Sequence, residues 1–224
     1  MFPIRDHNPS KSFPVITVLI ILITSYVFFL QLTAFDPEAF IMNYALVPAL
    51  VDFGNPATWW PFIWSMFMHG GWLHIISNLW FLWIFGDNVE AFLGHIGFLL
   101  FYLLTGIAAS LVQFFFMSGS EIPTLGASGA IAGVLGAYLV LYPRHKIDTL
   151  VISFGGFLQK LQIPASFMLG YWFIIQLFSG VGSLGAAGQG GVAWWAHIGG
   201  FASGYLFTQA VKGNNRTETE PDAG

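Results

Sequence analysis

The chain has no cysteine among its 224 residues, and charged residues make up only 8% of it. Without cysteine there can be no disulfide, no thiolate metal ligand and no cysteine nucleophile. The net charge of −4 is small, and no Lys/Arg block with interleaved aromatics is present, so nucleic acid is not an expected partner. A hydrophobic fraction of 56% exceeds what a water-soluble core could hide, which excludes an ordinary soluble domain.

Long apolar runs account for most of the chain and predict an all-α polytopic bundle of six transmembrane helices. The runs are residues 15–32, 73–85, 96–117, 128–141, 163–177 and 192–211. The second and fourth runs are short for a hydrocarbon core of about 30 Å, which needs about 20 helical residues. Residues 34–71 contain an aromatic stretch interrupted by Pro61, and we expect them to form a long, partly embedded loop.

The distribution of polar residues divides the chain into three parts. Residues 15–211 form the predicted membrane domain, preceded by a cytoplasmic segment, 1–14, and followed by a polar tail, 212–224, that we expect to be disordered. No small-residue cleavage site follows the first apolar run, which argues against a cleaved signal peptide. No internal repeat is visible in the sequence.

The cations indicate the orientation of these spans. With six spans, all seven Lys and Arg residues fall on one side of the membrane: Arg5, Lys11, Arg144, Lys146, Lys160, Lys212 and Arg216. The charged residues on the opposite side are all acidic, namely Asp36, Glu38, Asp52 and Glu121. The positive-inside rule therefore predicts that both termini lie in the cytoplasm.

A serine begins the fourth span within a stretch of small residues, Gly126-Ala127-Ser128-Gly129-Ala130. Small residues allow a sharp backbone turn that leaves the hydroxyl accessible, and the N-terminus of a helix favours negative charge. The alternative is that these residues only allow helices to pack closely.

A histidine, His197, lies in the sixth span in the sequence Ala196-His197-Ile198-Gly199-Gly200. Its unperturbed pKa makes a histidine the natural general base at neutral pH. Gly200 and Gly204 form a GxxxG face that suits tight packing against a neighbouring helix. The alternative is a histidine hydrogen-bonded to a helix carbonyl.

Three further polar residues, His69, His74 and Asn78, run from the loop into the second span. His74 and Asn78 are four residues apart, so they project from one helical face and can direct donors at a shared point. A zinc site would need a third ligand and a catalytic glutamate, as in HExxH, which the chain lacks. We therefore predict neither a metal nor another cofactor.

The topology brings these candidates together. Spans two, four and six run in the same direction, so His74, Asn78, Ser128 and His197 are expected at a similar depth. A nucleophile, a base and hydrogen-bond donors at one level are what acyl transfer requires. A short fourth span would also leave a cavity above the serine through which water can reach it.

These motifs resemble those of the rhomboid family of intramembrane serine proteases, in its six-span bacterial type. The resemblance rests on GASG at 126–129, AHxxG at 196–200, HxxxxHxxxN at 69–78 and Gly86-x3-Glu90. It implies a Ser-His dyad without an aspartate, with Ser128 as nucleophile and His197 as base. It further implies that His74, Asn78 and the Ser128 N–H donate to the oxyanion.

The resemblance also implies a cellular setting and a class of partner. The protein would lie in a bacterial plasma membrane, among lipids, and cleave single-pass or other transmembrane proteins. Trp172 and Phe173 of the fifth span would line the lateral access route for a substrate helix. One departure is visible, because the Trp-Arg pair common in the family's first loop is Trp60-Pro61 in this chain.

Other functions fit the residues less well. An inactive rhomboid relative that binds membrane proteins would typically lack the serine or the histidine, and both are present. A transporter would show polar groups along a midplane path and often repeats. An aspartyl protease needs two intramembrane aspartates, whereas Asp87 is the one candidate. We expect Glu90 to be a structural hydrogen-bonding residue and assign no role to His7, His95 or His145.

Overall fold

The computed structural model describes residues 1–8, 10, 12–152, 156–184 and 191–217, with side chains described as far as 213. The helices in this part of the chain are α1 (Val15–Thr33), α2 (Pro37–Tyr44), α3 (Pro61–Trp64), α4 (Trp72–Phe116), α5 (Ser128–Leu141), α6 (Ala165–Ser183) and α7 (Trp194–Thr217). Of these, α1, α4 and α6 are long and apolar enough to cross a membrane, and α5 is a shorter apolar helix.

The segment between α1 and α4 is built of short helical pieces. It contains α2, α3 and three 3₁₀ turns, at Pro48–Leu50, Pro56–Thr58 and Ser65–Phe67. Asp36 caps α2 by accepting a hydrogen bond from the Ala39 N–H at 2.9 Å, and a proline occupies the first helical position. Leu46 pairs with Thr124 through two backbone hydrogen bonds, which tie this segment to the residues that precede α5.

The second helical stretch is longer than its apolar run. Gly94 has non-helical dihedrals (φ 70°, ψ 164°) and divides α4 into two stretches, so the first extends from Trp72 to the residues just before Gly94. The expectation of a short second helix is therefore wrong. Polar residues end the apolar run after Phe85. Two of them, Asn88 and Glu90, are buried within the bundle and their side chains are hydrogen-bonded, so the helix can continue past them.

Helix α5 lies at the centre of the bundle. Residues 129–138 are all buried, and both α4 and α7 pack against this helix and against each other. A Cβ built on Gly200 would overlap the Gly129 carbonyl, and one on Gly204 would overlap the Gly133 carbonyl. The predicted close approach along the GxxxG face is therefore confirmed, with α5 as the partner of α7.

A small antiparallel sheet departs from the predicted all-α class. Its strands are β1 (Phe2–Asp6), β2 (Lys146–Ile152) and β3 (Leu158–Pro164), in the order β1-β2-β3. The pairing Phe2 with Leu150 and Asp6 with Ile147 joins the N-terminus to the hairpin that connects α5 with α6. These segments are rich in β-branched residues or alternate polar with apolar ones, both of which favour strands. Apart from Ile163 and Pro164 at the end of β3, they lie outside the apolar runs.

Hydrogen bonds join the sheet to α4 and α5. The Asp6 carboxylate accepts from Asn88 Nδ2 at 2.7 Å and from the Tyr138 hydroxyl at 3.0 Å. Partial burial nevertheless raises the pKa of Asp6. Asp148 accepts from Lys160 at 2.6 Å and from His7 at 2.7 Å, and these bonds lower its pKa to about 2.

Helix α1 begins at Val15, where the first apolar run begins. The N-terminal segment is a strand of the sheet. At the other end α7 continues to Thr217, and the remainder of the tail predicted to be disordered, 218–224, lies outside the described residues.

Candidate active site

One cavity brings together the four side chains that the sequence marks as an acyl-transfer site. It has a volume of about 790 Å³, and His74, Asn78, Ser128 and His197 all line it. The residues come from the beginnings of α4, α5 and α7. The segment that precedes α5 forms another part of the wall.

Ser128 is the first residue of α5 and is half-buried. Gly126, two residues before it, has a φ of +129°, which side-chain-bearing residues rarely adopt. A Cβ on Gly126 would also lie 2.7 Å from His74 Nε2. Glycine at this position therefore allows both the turn into α5 and the close approach of the imidazole. The Gly126 N–H donates to the Ser65 carbonyl at 2.8 Å, which fixes the turn.

His197 lies in the first turn of α7, beside aromatic and polar side chains. Its Nδ1 is 2.7 Å from Gln176 Oε1 on α6. The ring centroids of Trp172 and Trp194 are 5.8 Å and 6.2 Å from that of the imidazole. The partner of Nδ1 is thus a side chain of another helix and not a helix carbonyl. Among the described residues, no hydrogen bond joins His197 to the Ser128 hydroxyl, and such bonds often tighten only when substrate binds.

His74 presents one ring nitrogen to the cavity. Its Nδ1 accepts a hydrogen bond from the Gly70 N–H at 3.3 Å. In the neutral ring the proton must then be on Nε2, the atom close to Gly126. His74 can therefore donate a hydrogen bond beside Ser128.

Asn78 is buried, with 7% exposure, and is held by His69. Its Nδ2 is 2.9 Å from His69 Nε2, so one amide hydrogen points to that ring and a second is available. The backbone of His69 is held in turn by the side chain of Gln31 in α1. Gln31 Nε2 donates to the His69 carbonyl at 2.7 Å, and Gln31 Oε1 accepts from the His69 N–H at 3.3 Å. His69 therefore orients a donor of the cavity and does not line it.

Two motif residues, Gly86 and Glu90, lie away from the cavity and join α4 to α1. Glu90 accepts hydrogen bonds from the N–H groups of Ile16 and Thr17, both at 2.8 Å. It also accepts one from His95 Nδ1 at 2.6 Å. Gly86 faces Thr17, to which an added Cβ would come within 3.0 Å. Both residues therefore contribute to the contact between α4 and α1, and His95 has a contact that the sequence did not indicate.

The remaining residues that the resemblance implies lie around α6 and α3. Trp172 contacts the imidazole as described, whereas Phe173 stacks on Phe201 of α7 with a centroid distance of 4.5 Å. Trp60 is exposed, and Pro61 begins α3. Pro61 therefore occupies the first position of a helix, which proline favours.

The sequence analysis missed two buried glutamines beside the site. Gln113 of α4 lines the cavity and accepts a hydrogen bond from the Ala196 N–H at 3.2 Å. Gln176 of α6 has 4% exposure and contacts His197. Each is the one amide side chain within its apolar run, which is the signal that could have identified both.

The chain is similar to proteins of one known family. The model of the Rhomboid domain family matches residues 56–213. The chain is 43% identical to the rhomboid protease GluP of Bacillus subtilis over 81 residues, which is 36% of this chain and 15% of that protein. It is 39% identical to Rhomboid-like protein 11, chloroplastic, of Arabidopsis thaliana over 88 residues, which is 39% of this chain and 31% of that protein.

A longer match extends to a mitochondrial relative. Rhomboid protein 1 of Saccharomyces cerevisiae is 31% identical over 148 residues, which is 64% of this chain and 39% of the yeast protein. The chain thus spans well under half the length of these relatives. Because the family match covers more than half of the chain and includes every residue of the cavity described above, this protein belongs to the rhomboid family of integral membrane proteins.

Proposed function

We propose that the protein is an intramembrane serine endopeptidase that cleaves transmembrane or membrane-proximal segments of membrane proteins with a Ser128–His197 dyad. The observation that carries this proposal is the shared cavity, which holds a serine hydroxyl, an imidazole and two side-chain donors. These are the groups that peptide hydrolysis through an acyl-enzyme needs.

The proposed reaction assigns one step to each group. His197 Nε2 takes the proton of the Ser128 hydroxyl as Oγ attacks the scissile carbonyl carbon. The carbonyl oxygen becomes an oxyanion, which accepts hydrogen bonds from His74 Nε2, Asn78 Nδ2 and the Ser128 N–H. The imidazolium then protonates the leaving amine as the C–N bond breaks. Water, activated by the same imidazole, hydrolyses the ester and restores both residues.

The proposed membrane arrangement has six spans: α1, the two stretches of α4, α5, α6 and α7. Helix α5 has 14 residues, so it is about 21 Å long and shorter than the hydrocarbon core of about 30 Å. Ser128 at its N-terminus would then lie below the outer surface, and the cavity would supply water. The segregation of all seven Lys and Arg residues supports cytoplasmic termini, and the proposed location is a bacterial plasma membrane.

The proposed substrates are single-pass or other transmembrane proteins that reach the cavity from the lipid. Support comes from α6, whose outer face carries exposed Phe167, Ile174 and Phe178. One relative is named as a rhomboid protease, whereas others are named only as rhomboid or rhomboid-like proteins. Binding of membrane proteins without cleavage is therefore the alternative to be tested.

The test is reconstitution into liposomes together with a single-pass reporter protein. The wild-type chain is expected to cleave the reporter, and the Ser128→Ala variant is expected to bind it without cleavage. If both proteins bind the reporter and neither cleaves it, the protein binds membrane proteins without cleaving them and is not a protease. Equal cleavage by both would remove Ser128 from the mechanism.

A further inference from the structure

His197 is held from α6 by two side chains that lie one helical turn apart. Trp172 presents its ring at 5.8 Å from the imidazole centroid, with an interplanar angle of 32°. Gln176, four residues later, places Oε1 at 2.7 Å from His197 Nδ1. Residues i and i+4 share a helical face, so this face of α6 contacts the base through both.

The orientation of the Gln176 amide is fixed by its second contact. Its Nε2 donates to the Trp172 carbonyl at 3.3 Å within α6. If the amide oxygen and nitrogen were exchanged, Oε1 would face the Trp172 carbonyl oxygen, and neither atom could donate. Oε1 must therefore be the atom that faces the imidazole. Because Oε1 can only accept, the neutral His197 ring must carry its proton on Nδ1.

We propose that Gln176 is a positioning residue that holds His197 in the Nδ1–H tautomer and so leaves Nε2 unprotonated as the base for Ser128. The inference rests on the proposed dyad. It assigns to a neutral amide on a neighbouring helix the orienting role that an aspartate has in a catalytic triad. The bond strengthens when His197 becomes cationic in the transition state, because hydrogen bonds to charged groups are stronger than those between neutral ones.

The kinetic test replaces Gln176 by methionine, which is similar in length but has only a weakly accepting thioether in place of the amide oxygen. Gln176→Met is expected to lower kcat by about 10- to 100-fold with little change in KM, because the bond acts mainly in the transition state. Labelling of Ser128 by a fluorophosphonate should slow in parallel, since it needs the same base. Gln209→Met is the matched control: Gln209 is an exposed residue of α7 that contacts Tyr205, and its loss should alter neither rate.

A second variant separates the acceptor from the packing. Gln176→Glu retains an oxygen that can accept a hydrogen bond from Nδ1–H, so it should recover most of the kcat that Gln176→Met loses. Equal losses in the two variants would attribute the effect to packing and overturn the proposal. Unchanged kcat in Gln176→Met, in a preparation where Ser128→Ala is inactive, would overturn it while leaving the dyad intact.

A spectroscopic measurement on the wild-type chain needs no active variant. In protein labelled with ¹⁵N-histidine, the His197 signals are assigned by their loss in His197→Ala. A protonated Nδ1 and an unprotonated Nε2 at neutral pH are expected, with a shift toward the other tautomer in Gln176→Met. A wild-type ring protonated on Nε2 would overturn the proposal even if the protein proved to be an active protease.

Discussion

Glu90 caps a helix that has no cap of its own, and its loss should destabilise the whole bundle. Helix α1 follows Pro14, which supplies no side-chain acceptor to the first turn. Two oxygens of Glu90 accept the N–H groups of Ile16 and Thr17 at 2.8 Å, and the Thr17 hydroxyl donates at 2.7 Å. A carboxylate of α4 thus satisfies the free amides of another helix.

The expected cost of Glu90→Ala follows from these bonds. The side chain is 1% exposed, so the freed N–H groups have limited access to water. An unsatisfied buried donor costs about 1–3 kcal/mol, and loss of a helix cap costs about 1 kcal/mol. We expect the variant to lose about 3 kcal/mol, which lowers Tm by about 6–12 °C for a chain of this size. Glu90→Gln keeps one acceptor oxygen, so its Tm should lie between those of the wild type and Glu90→Ala.

The assay is thermal unfolding in detergent, followed by circular dichroism and by tryptophan fluorescence. Glu121→Ala serves as the control, because Glu121 is an exposed glutamate outside the helices. Its Tm should equal that of the wild type. A Tm for Glu90→Ala within about 1 °C of the control would correspond to well under 1 kcal/mol and would refute the capping role.

Three further predictions concern the proposed reaction. Ser128→Ala and His197→Ala should each abolish cleavage, and the double variant should show no further loss. Substantial cleavage by either single variant in a single-turnover assay would contradict the dyad. His74→Ala and Asn78→Ala should each lower kcat by about 10- to 1000-fold, because one oxyanion donor is lost while others remain; unchanged rates at saturating substrate would make the pair structural. EDTA should leave cleavage intact, and a fluorophosphonate should label Ser128 alone by mass spectrometry; activity lost to EDTA and restored by zinc would contradict a metal-free reaction.

The sequence predicts α5 and its neighbours well because two strong signals agree there. The apolar run 128–141 coincides with the helix, which ends shortly before Pro143. The small residues that allow the turn at Gly126 also allow α5 to approach α7. Since alternate spans run in the same direction, the beginnings of α4, α5 and α7 could be expected to meet, and they line one cavity.

The sheet and the full length of α4 could not be predicted, because apolar runs report affinity for hydrocarbon and not hydrogen bonding. Asn88 interrupts the apolar run, yet Asp6 accepts from its side chain and the helix continues past it. That partner is distant in the chain and is brought near only when β1 pairs with β2. A pairing of this kind depends on tertiary structure, which a local pattern does not contain.

Gln176 was missed for a different reason, which bears on how such a site can work within a membrane. A search for titratable groups passes over a neutral amide, although a lone glutamine in an apolar helix is costly unless it has a partner. An aspartate at this position would bring a charge into the low-dielectric region, where an ion costs far more than a hydrogen-bonded amide. The amide donates to the Trp172 carbonyl and accepts from His197, so it orients the imidazole without adding charge. The proposed dyad can therefore dispense with an aspartate and still have an oriented base.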